Sequence, residues 1–266
     1  METKDNKTQD IRYAQDAELT ILVELQQKEI VALKRQIDLL QTELKTFNDI
    51  AATDYNETLR HLYTTLEYIT TNDAHNLSNS GKANIRRAQS AIQRMKLLTE
   101  DFLVYSDLDS AEMECQDIDL GLILQARVQK LSRELSDTEL YIDKSEMIVN
   151  GSPVLLSMLF HQLLDNAIKF KRTDGSHRVD INFGPWVEGY HIVSIADNGI
   201  GFPETEAENI FRIFYRLHER NKYKGSGIGL SIVRKIMHMH GGFVLAKSRP
   251  EQGAIFFCHF PAKNNT

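Results

Sequence analysis

The chain carries only two cysteines, Cys115 and Cys258, and they form no C-x-x-C spacing. That excludes a disulfide framework or a zinc ribbon and suits a reducing compartment. No apolar run approaches the roughly 18 residues that a membrane span needs. The opening stretch, METKDNKTQD, is polar and has no apolar core of the kind a signal peptide carries. Surplus positive charge is also missing. A net charge of −6 excludes a nucleic-acid binder dominated by phosphate contacts. Between Met1 and Ser80 there is neither proline nor glycine, so nothing in that stretch interrupts a helix. What remains is ordinary globular composition, 42% apolar and 26% charged, enough for one large or two modest domains in the cytoplasm.

From Leu19 the chain reads as one long helix. Leu19, Val23, Gln26, Ile30, Leu33, Ile37, Leu40, Leu44, Phe47 and Ala51 recur at alternating spacings of four and three. This is a heptad seam, interrupted only by Gln26, with Lys34, Arg35, Asp38 and Lys45 off the seam. A single amphipathic helix packed on its own domain would show the same residues. The strict 3.5-residue period favours a partner helix, and a parallel homodimer is expected. The helix continues to about Ile69, and residues 72–82 supply a polar turn. A second helix over 83–108 carries Ile85, Ala88, Ile92, Met95, Leu98, Phe102 and Tyr105 on one face. Two such antiparallel helices, doubled by dimerisation, give a four-helix bundle.

The second half reads differently. Helix is expected at 120–135, 153–170 and 228–240, with strands near 140–143, 147–150, 179–183, 190–196, 243–247 and 254–260. The chain is therefore α+β: a coiled coil and helical hairpin, then a two-layer α/β sandwich. Within it, Gly225, Gly227 and Gly229 run straight into the helix-forming stretch Leu230–His240. Glycines let backbone amides approach phosphate oxygens, and a helix N-terminus adds unsatisfied N–H groups and a positive dipole end. Alone, such a loop fits a tight turn equally well. Upstream lie HQLLDNAIKF (His161–Phe170) in a helical run and DNGIG (Asp197–Gly201) at a strand end. On the first, Gln162, Asn166 and Lys169 or Phe170 share one helical face, while Leu159, Leu163 and Leu164 take the core side. His238 and His240 are two apart on a helix and do not converge on a metal.

The order of these motifs, with the aromatic stretch IFRIFY (Ile210–Tyr215) before the glycine loop, resembles the ATP-binding domain of sensor histidine kinases. That superfamily also holds gyrase, the Hsp90 chaperones and the MutL repair proteins. RLHERNKYKGSGIGLSIVRKIMHMHGG is most similar to kinases linked to phytochrome or PAS sensors, and RRAQSAIQRMKLLTEDFLVYSDL resembles the second helix of their dimerisation and phosphotransfer hairpin. The resemblance runs from about Ile30 to Pro261. It implies ATP and Mg²⁺ as ligands, with Asn166 holding Mg²⁺ through a hard oxygen and Lys169 approaching the phosphates. Asp197 would accept a hydrogen bond from the adenine amine, with Gly199 and Gly201 leaving room for the base; DNG alone would fit an Asx turn. Phe211 and Phe214 would anchor a lid over 204–223 to the core, and Arg216 would reach the phosphates. Lys222 and Lys224 fit either the phosphates or a solvated charge cluster. Gly225, Gly227, Gly229 and Leu230 would cradle the triphosphate. Gln162 stands where hydrolysing relatives carry a glutamate base, and an amide cannot take a proton, so strong ATP hydrolysis is not expected.

The implied divisions are a polar segment 1–18, a signalling coiled coil 19–51, a hairpin 47–108, a linker 109–119, an ATP-binding domain 120–261 and a tail 262–266. Most relatives carry a sensor domain; none fits here, so the input is expected from a partner or the helices themselves. The largest departure lies in the first helix. Similar sequences read Ser-His-Asp-Leu-x-Glu-Pro-Leu-Arg, whereas here Ala52–Arg60 reads ATDYNETLR. Thr53 replaces the phosphoacceptor histidine, Thr58 replaces proline, and Asp54 remains. A Thr53 introduced to trap a complex would not require the change at Thr58, which favours a natural departure. The expected protein is a histidine-kinase-type phosphotransferase with a degenerate acceptor. It would be a homodimer through 19–108 that meets a receiver domain or another histidine kinase. The alternative is a nucleotide-gated scaffold without phosphoryl transfer.

Overall fold

A computed structural model describes residues 2–73, 75–109, 111, 113–131, 135, 137–173, 175–187, 189–217, 223 and 225–262. Lys222, Lys224 and residues 263–266 lie outside the described residues, as does the side chain of Leu19. Two compact units result, Met1–Ile50 and Ala51–Thr266.

The first helix, α1 (Glu2–Asn72), begins well before Leu19 because no residue ahead of it breaks helix. Within the first unit, the seam side chains that are described are solvent-exposed, from Ile30 (51%) through Leu40 (55%) to Phe47 (67%). An apolar stripe left in water on a helix this long is a surface that a second helix would cover.

In the second unit α1 runs on to Asn72. Its threonines return their hydroxyls to the preceding turn, as Thr64 donates to the Arg60 carbonyl at 2.9 Å and Thr65 to that of His61 at 2.9 Å. α2 (Asn79–Asp107) starts four residues earlier than expected. Ser78 caps it, its hydroxyl accepting the Gly81 N–H at 3.0 Å, so Gly81 is absorbed into the first turn. The last turns of α2 carry Phe102, Val104 and Tyr105 against the main core, and Leu108 is buried in it.

The expected linker ends in a strand, β1 (Gln116–Asp119), which pairs antiparallel with β3 (Ile148–Gly151). Four residues without alternation gave no sequence signal for it. Asp119 then caps α3 (Leu120–Lys130), accepting the Gly121 N–H at 2.9 Å. β2 (Thr138–Ile142), β4 (His177–Val187), β5 (Tyr190–Asp197), β7 (Ala254–Pro261) and β6 (Phe243–Ser248) form one sheet in that order. β2 joins β4 in parallel; the other pairs are antiparallel. Alternate residues, Val179 and Ile181, Val193 and Ile195, Ala254, Phe256 and Cys258, are buried. They meet α4 (Pro153–Lys169) and α5 (Gly229–Met239), which bury Leu156, Leu159, Leu163, Ile232, Val233 and Ile236. This is the α+β, two-layer arrangement expected.

His240 ties these two helices together. Its Nε2 accepts the Ser152 N–H at 3.1 Å, ahead of α4, while its Nδ1–H faces the Ile236 carbonyl at 2.7 Å in α5. Burial holds the ring below the usual histidine range, so it stays neutral and serves as a strut. Among the described residues no cluster of three or more His, Cys, Asp and Glu could hold a metal ion.

Candidate functional site

α4 presents Gln162, Asp165, Asn166 and Lys169 along one face, opposite its buried leucines, and all four line a single pocket. Spacings of three and four put them there, while Leu159, Leu163 and Leu164 turn inward as expected. β5 delivers Asp197 to the same pocket, whose wall also includes Ile200, Phe202, Ala254 and Phe256. The glycine loop supplies Gly225, Ser226, Gly227 and Gly229, and the first turn of α5 adds Leu230. The expected residues Gln162, Asn166, Lys169, Asp197, Gly201, Arg216, Gly225, Gly227, Gly229 and Leu230 thus converge on one cavity.

Asp197 is held in an apolar setting. Burial pushes its carboxyl up from 3.8 to about 6, although the Gly199 N–H, donated to Oδ1 at 2.9 Å, and the Ala254 N–H pull the other way. Gly199 itself does not line the cavity. It positions the carboxylate, and a Cβ there would run into the Phe170 carbonyl. Gly201 sits at φ 60° with the Arg249 carbonyl where a Cβ would go, so only glycine closes this turn.

In the same cavity, burial pulls the Lys169 ammonium below the usual lysine range; Asp165 opposes this, Arg216 adds to it, and Asp101 opposes it from α2. The Lys169 ammonium lies against Gly225, where a side chain would displace it. A Cβ on Gly229 would fall 2.5 Å from Gln162 Oε1. The loop and α4 therefore approach as closely as glycine allows. Ser226 is buried, and its hydroxyl accepts the Ile228 N–H at 3.0 Å, which shapes the turn into α5.

The lid residues Phe211, Phe214 and Arg216 take three different positions. Phe211 is buried and meets Phe256 with ring centroids 6.3 Å apart, so it anchors the segment from outside the cavity. Phe214 does neither job. Its backbone has φ 63°, its side chain is 54% exposed, and it is absent from the cavity wall. The left-handed turn throws it to solvent and brings Tyr215 to the pocket instead. The Tyr215 hydroxyl donates to Glu206 at 2.5 Å. Arg216 lines the pocket, but its guanidinium donates to the carbonyls of Gly225 and, at 2.7 Å, Tyr223. It clamps the glycine loop. Phe170 and Tyr223 close one side, their centroids 5.0 Å apart.

Asp101, Asp165, Tyr215 and Ser226 were not foreseen. Asp165 was legible, since it lies three residues from Gln162 and four from Lys169 on the same face. Asp101 comes from a distant helix and left no local signal. Thr53 and Asp54 are exposed on α1 and do not line this cavity.

A buried carboxylate, a lysine, an amide face and a glycine-wrapped helix N-terminus thus line one apolar cleft in an α/β domain, a donor set that suits a phosphate-bearing ligand. Residues 151–264 match the family described as histidine kinase-, DNA gyrase B-, and HSP90-like ATPase, so this segment is an ATPase domain of histidine-kinase type. The chain is 29% identical over 244 residues to the phytochrome-like protein Cph1 of Synechocystis sp., covering 91% of this chain and 32% of that protein. It is 31% identical over 199 residues to the adaptive-response sensory kinase SasA of Prochlorococcus marinus, covering 68% of this chain and 51% of that protein. It thus spans about a third of one of these relatives and about half of the other. The fold is shared with full-length ShkA, solved in complex with AMPPNP, at a TM-score of 0.60 and 18% identity, over 80% of this chain and 45% of that one.

Proposed function

We propose that this chain is the core of a two-component signalling protein that binds ATP with Mg²⁺ and cannot phosphorylate itself at the usual position on α1. The observation that carries the nucleotide half is Asp197. A carboxylate kept in an apolar pocket, with one oxygen taken by Gly199, leaves acceptor capacity that suits the adenine amine. Guanine presents a carbonyl oxygen there, and two acceptors would face each other. Lys169, the amides of the glycine loop and the start of α5 hold the phosphates. Arg216 keeps that loop in place.

The donor set fits a magnesium ion carried in by the nucleotide. Asn166 and Gln162 offer neutral amide oxygens beside Lys169, and no cage of acidic and histidine ligands stands among the described residues to compete. Asn166 would hold the ion through Oδ1, leaving water and phosphate to complete its shell. The ion supplies charge neutralisation between the phosphates. Gln162 at the base position disfavours hydrolysis.

Calorimetry with Mg²⁺ tests this reading. ATP and ADP bind, and GTP binds about 100-fold more weakly, the discrimination expected when a buried acceptor is left unpaired. Equal affinity for ATP and GTP would sink the assignment.

The exposed seam on α1 supports a homodimer through residues 19–108, its hairpins packed as a four-helix bundle. Replacing Ile37 and Leu40 together by lysine forces like charges into the seam and gives monomers in light scattering. A wild-type monomer at tens of micromolar refutes the dimer. The protein partner of this reading is a receiver domain or another histidine kinase. A scaffold that signals nucleotide occupancy without transferring phosphoryl groups is the second reading, and Thr53 is what favours it. Localisation in the cytoplasm fits the absence, among the described helices, of any segment long and apolar enough to cross a membrane.

A further inference from the structure

Among the described residues, the cavity wall is built from the segment 151–264 with one exception. Asp101 belongs to α2, which precedes the matched segment 151–264. It lines the same cavity as Lys169, and its charge acts on the Lys169 ammonium. One turn further along the same face comes Tyr105, and Asp109 follows in the turn just past the end of α2. Both grip Lys235 of α5. The ammonium donates to the Tyr105 carbonyl at 2.8 Å, lies 4.1 Å from the centre of the Tyr105 ring, and pairs with Asp109 at 2.7 Å. The Lys235 side chain is only 15% exposed, while Asp109 on its outer side is 53% exposed. Phe102 and Leu108 pack beside it against the ATPase core. α5 is the helix whose first turn, Gly229 and Leu230, lines the cavity. The end of α2 is therefore docked by one helix that touches the nucleotide site and in turn inserts a carboxylate into that site.

We propose that Asp101 is a specificity-determining residue that makes the docked form prefer a nucleoside diphosphate to a triphosphate. The proposal rests on the adenine-nucleotide reading of the cavity. A fixed negative charge beside the phosphate end repels each added phosphate, and the outermost group of a triphosphate adds charge that the diphosphate lacks. Lys169 offsets part of this, but it already answers to Asp165 on its own helix. Triphosphate binding and α2 docking consequently oppose each other. By linkage, whatever loosens the grip on Lys235 raises the affinity for triphosphate relative to diphosphate. The lysine grip sets where Asp101 stands, so Lys235 acts as a positioning residue without touching nucleotide.

The test is calorimetric titration of the full chain with MgADP and with MgATP, for wild type, Asp101→Asn, Lys235→Met and the double variant. Thermal melts verify folding, and asparagine is isosteric at this half-buried helical position. Asp101→Asn lowers the ratio of the ATP to the ADP dissociation constant about tenfold, and the shift shrinks as salt is raised. Lys235→Met lowers the same ratio, and the double variant goes no further than Asp101→Asn, because both changes remove one effect. A ratio unchanged by Asp101→Asn, with both nucleotides still binding, overturns the role of Asp101. A ratio that falls with Asp101→Asn but stays put with Lys235→Met overturns the coupling to docking. A wild type that binds neither nucleotide fails the reading of the cavity itself, and this inference falls with it.

Discussion

Lowering the pH from 7 to 5 will weaken adenine-nucleotide binding about tenfold, and Asp197→Asn will remove that dependence while costing about 100-fold in affinity at pH 7. The folded-state pKa of Asp197 is raised by burial from 3.8 to about 6. A group shifted this way favours the fold fully below its unfolded value, and that contribution is lost as pH rises through about 6. At pH 7 the buried charge thus costs the free protein about 3 kcal/mol. An adenine amine placed against the carboxylate offsets the cost, because a charge-assisted hydrogen bond replaces missing solvation. Binding selects the ionised form, so at pH 5, where about one molecule in ten is ionised, the apparent dissociation constant rises by the same factor. Adenosine is the control ligand, since phosphate groups titrate near pH 6 themselves. In Asp197→Asn the amide keeps an oxygen for the Gly199 N–H but turns its NH₂ toward the ligand's own donor. The free variant should melt at a higher temperature than wild type at pH 7, and this advantage should vanish at pH 4. A variant that binds adenosine like wild type, or an affinity flat between pH 7 and pH 5, removes Asp197 from the base-reading role.

Most of the cavity was readable because its chemistry is written in local spacing. Gln162, Asn166 and Lys169 declare a helical face, and the glycines at 225, 227 and 229 declare a loop that must lie close to something. The structure shows what that something is: Gln162 Oε1 under Gly229, the Lys169 ammonium under Gly225, and the backbone of Phe214 and Tyr215 with the stem of Arg216 over Gly227. Phe214 was misjudged for a physical reason. An aromatic inside IFRIFY reads as core, but a single left-handed residue reverses which neighbour faces inward, and Tyr215 took the place. Propensity gives no warning of such a turn at a bulky residue. β1 escaped because four residues paired only to β3 carry no period of their own. Asp101 escaped because its meaning depends on α2 meeting α5, through Lys235, across 130 residues of chain. The same long-range origin makes it informative, since a contact that no local pattern requires is where one element can report on another.

Wild-type protein given labelled ATP will acquire no acid-labile phosphate on α1, and Thr53→His will acquire one. Transfer needs an in-line nucleophile near the terminal phosphorus, in a form that can attack without first losing a proton. A neutral imidazole nitrogen meets this need. The Thr53 hydroxyl is shorter in reach and keeps its proton at neutral pH, so little base-stable phosphothreonine is expected either. Thr53 and Asp54 are both exposed on α1, so a histidine at 53 would be accessible, with Asp54 adjacent to favour its reactive form. The other histidine on this stretch, His61, is eight residues on, about 12 Å along the axis and roughly 80° around it. It already lies 3.7 Å from Glu57. Adding Thr58→Pro to Thr53→His should raise the yield if the helix must bend to present the ring, because an interior proline removes one backbone hydrogen bond and kinks the helix. Adding Asp197→Asn instead should erase the label, which separates enzymatic transfer from chemical phosphorylation. If Thr53→His stays unlabelled although ATP binds, the acceptor face as a whole has drifted, and the scaffold reading gains over the kinase one. If wild type becomes labelled and the label survives His61→Ala, the acceptor lies elsewhere and Thr53 was not its position. A threonine that blocks the reaction is informative only while the nucleotide site works, so the labelling and the calorimetry must be read on the same preparations.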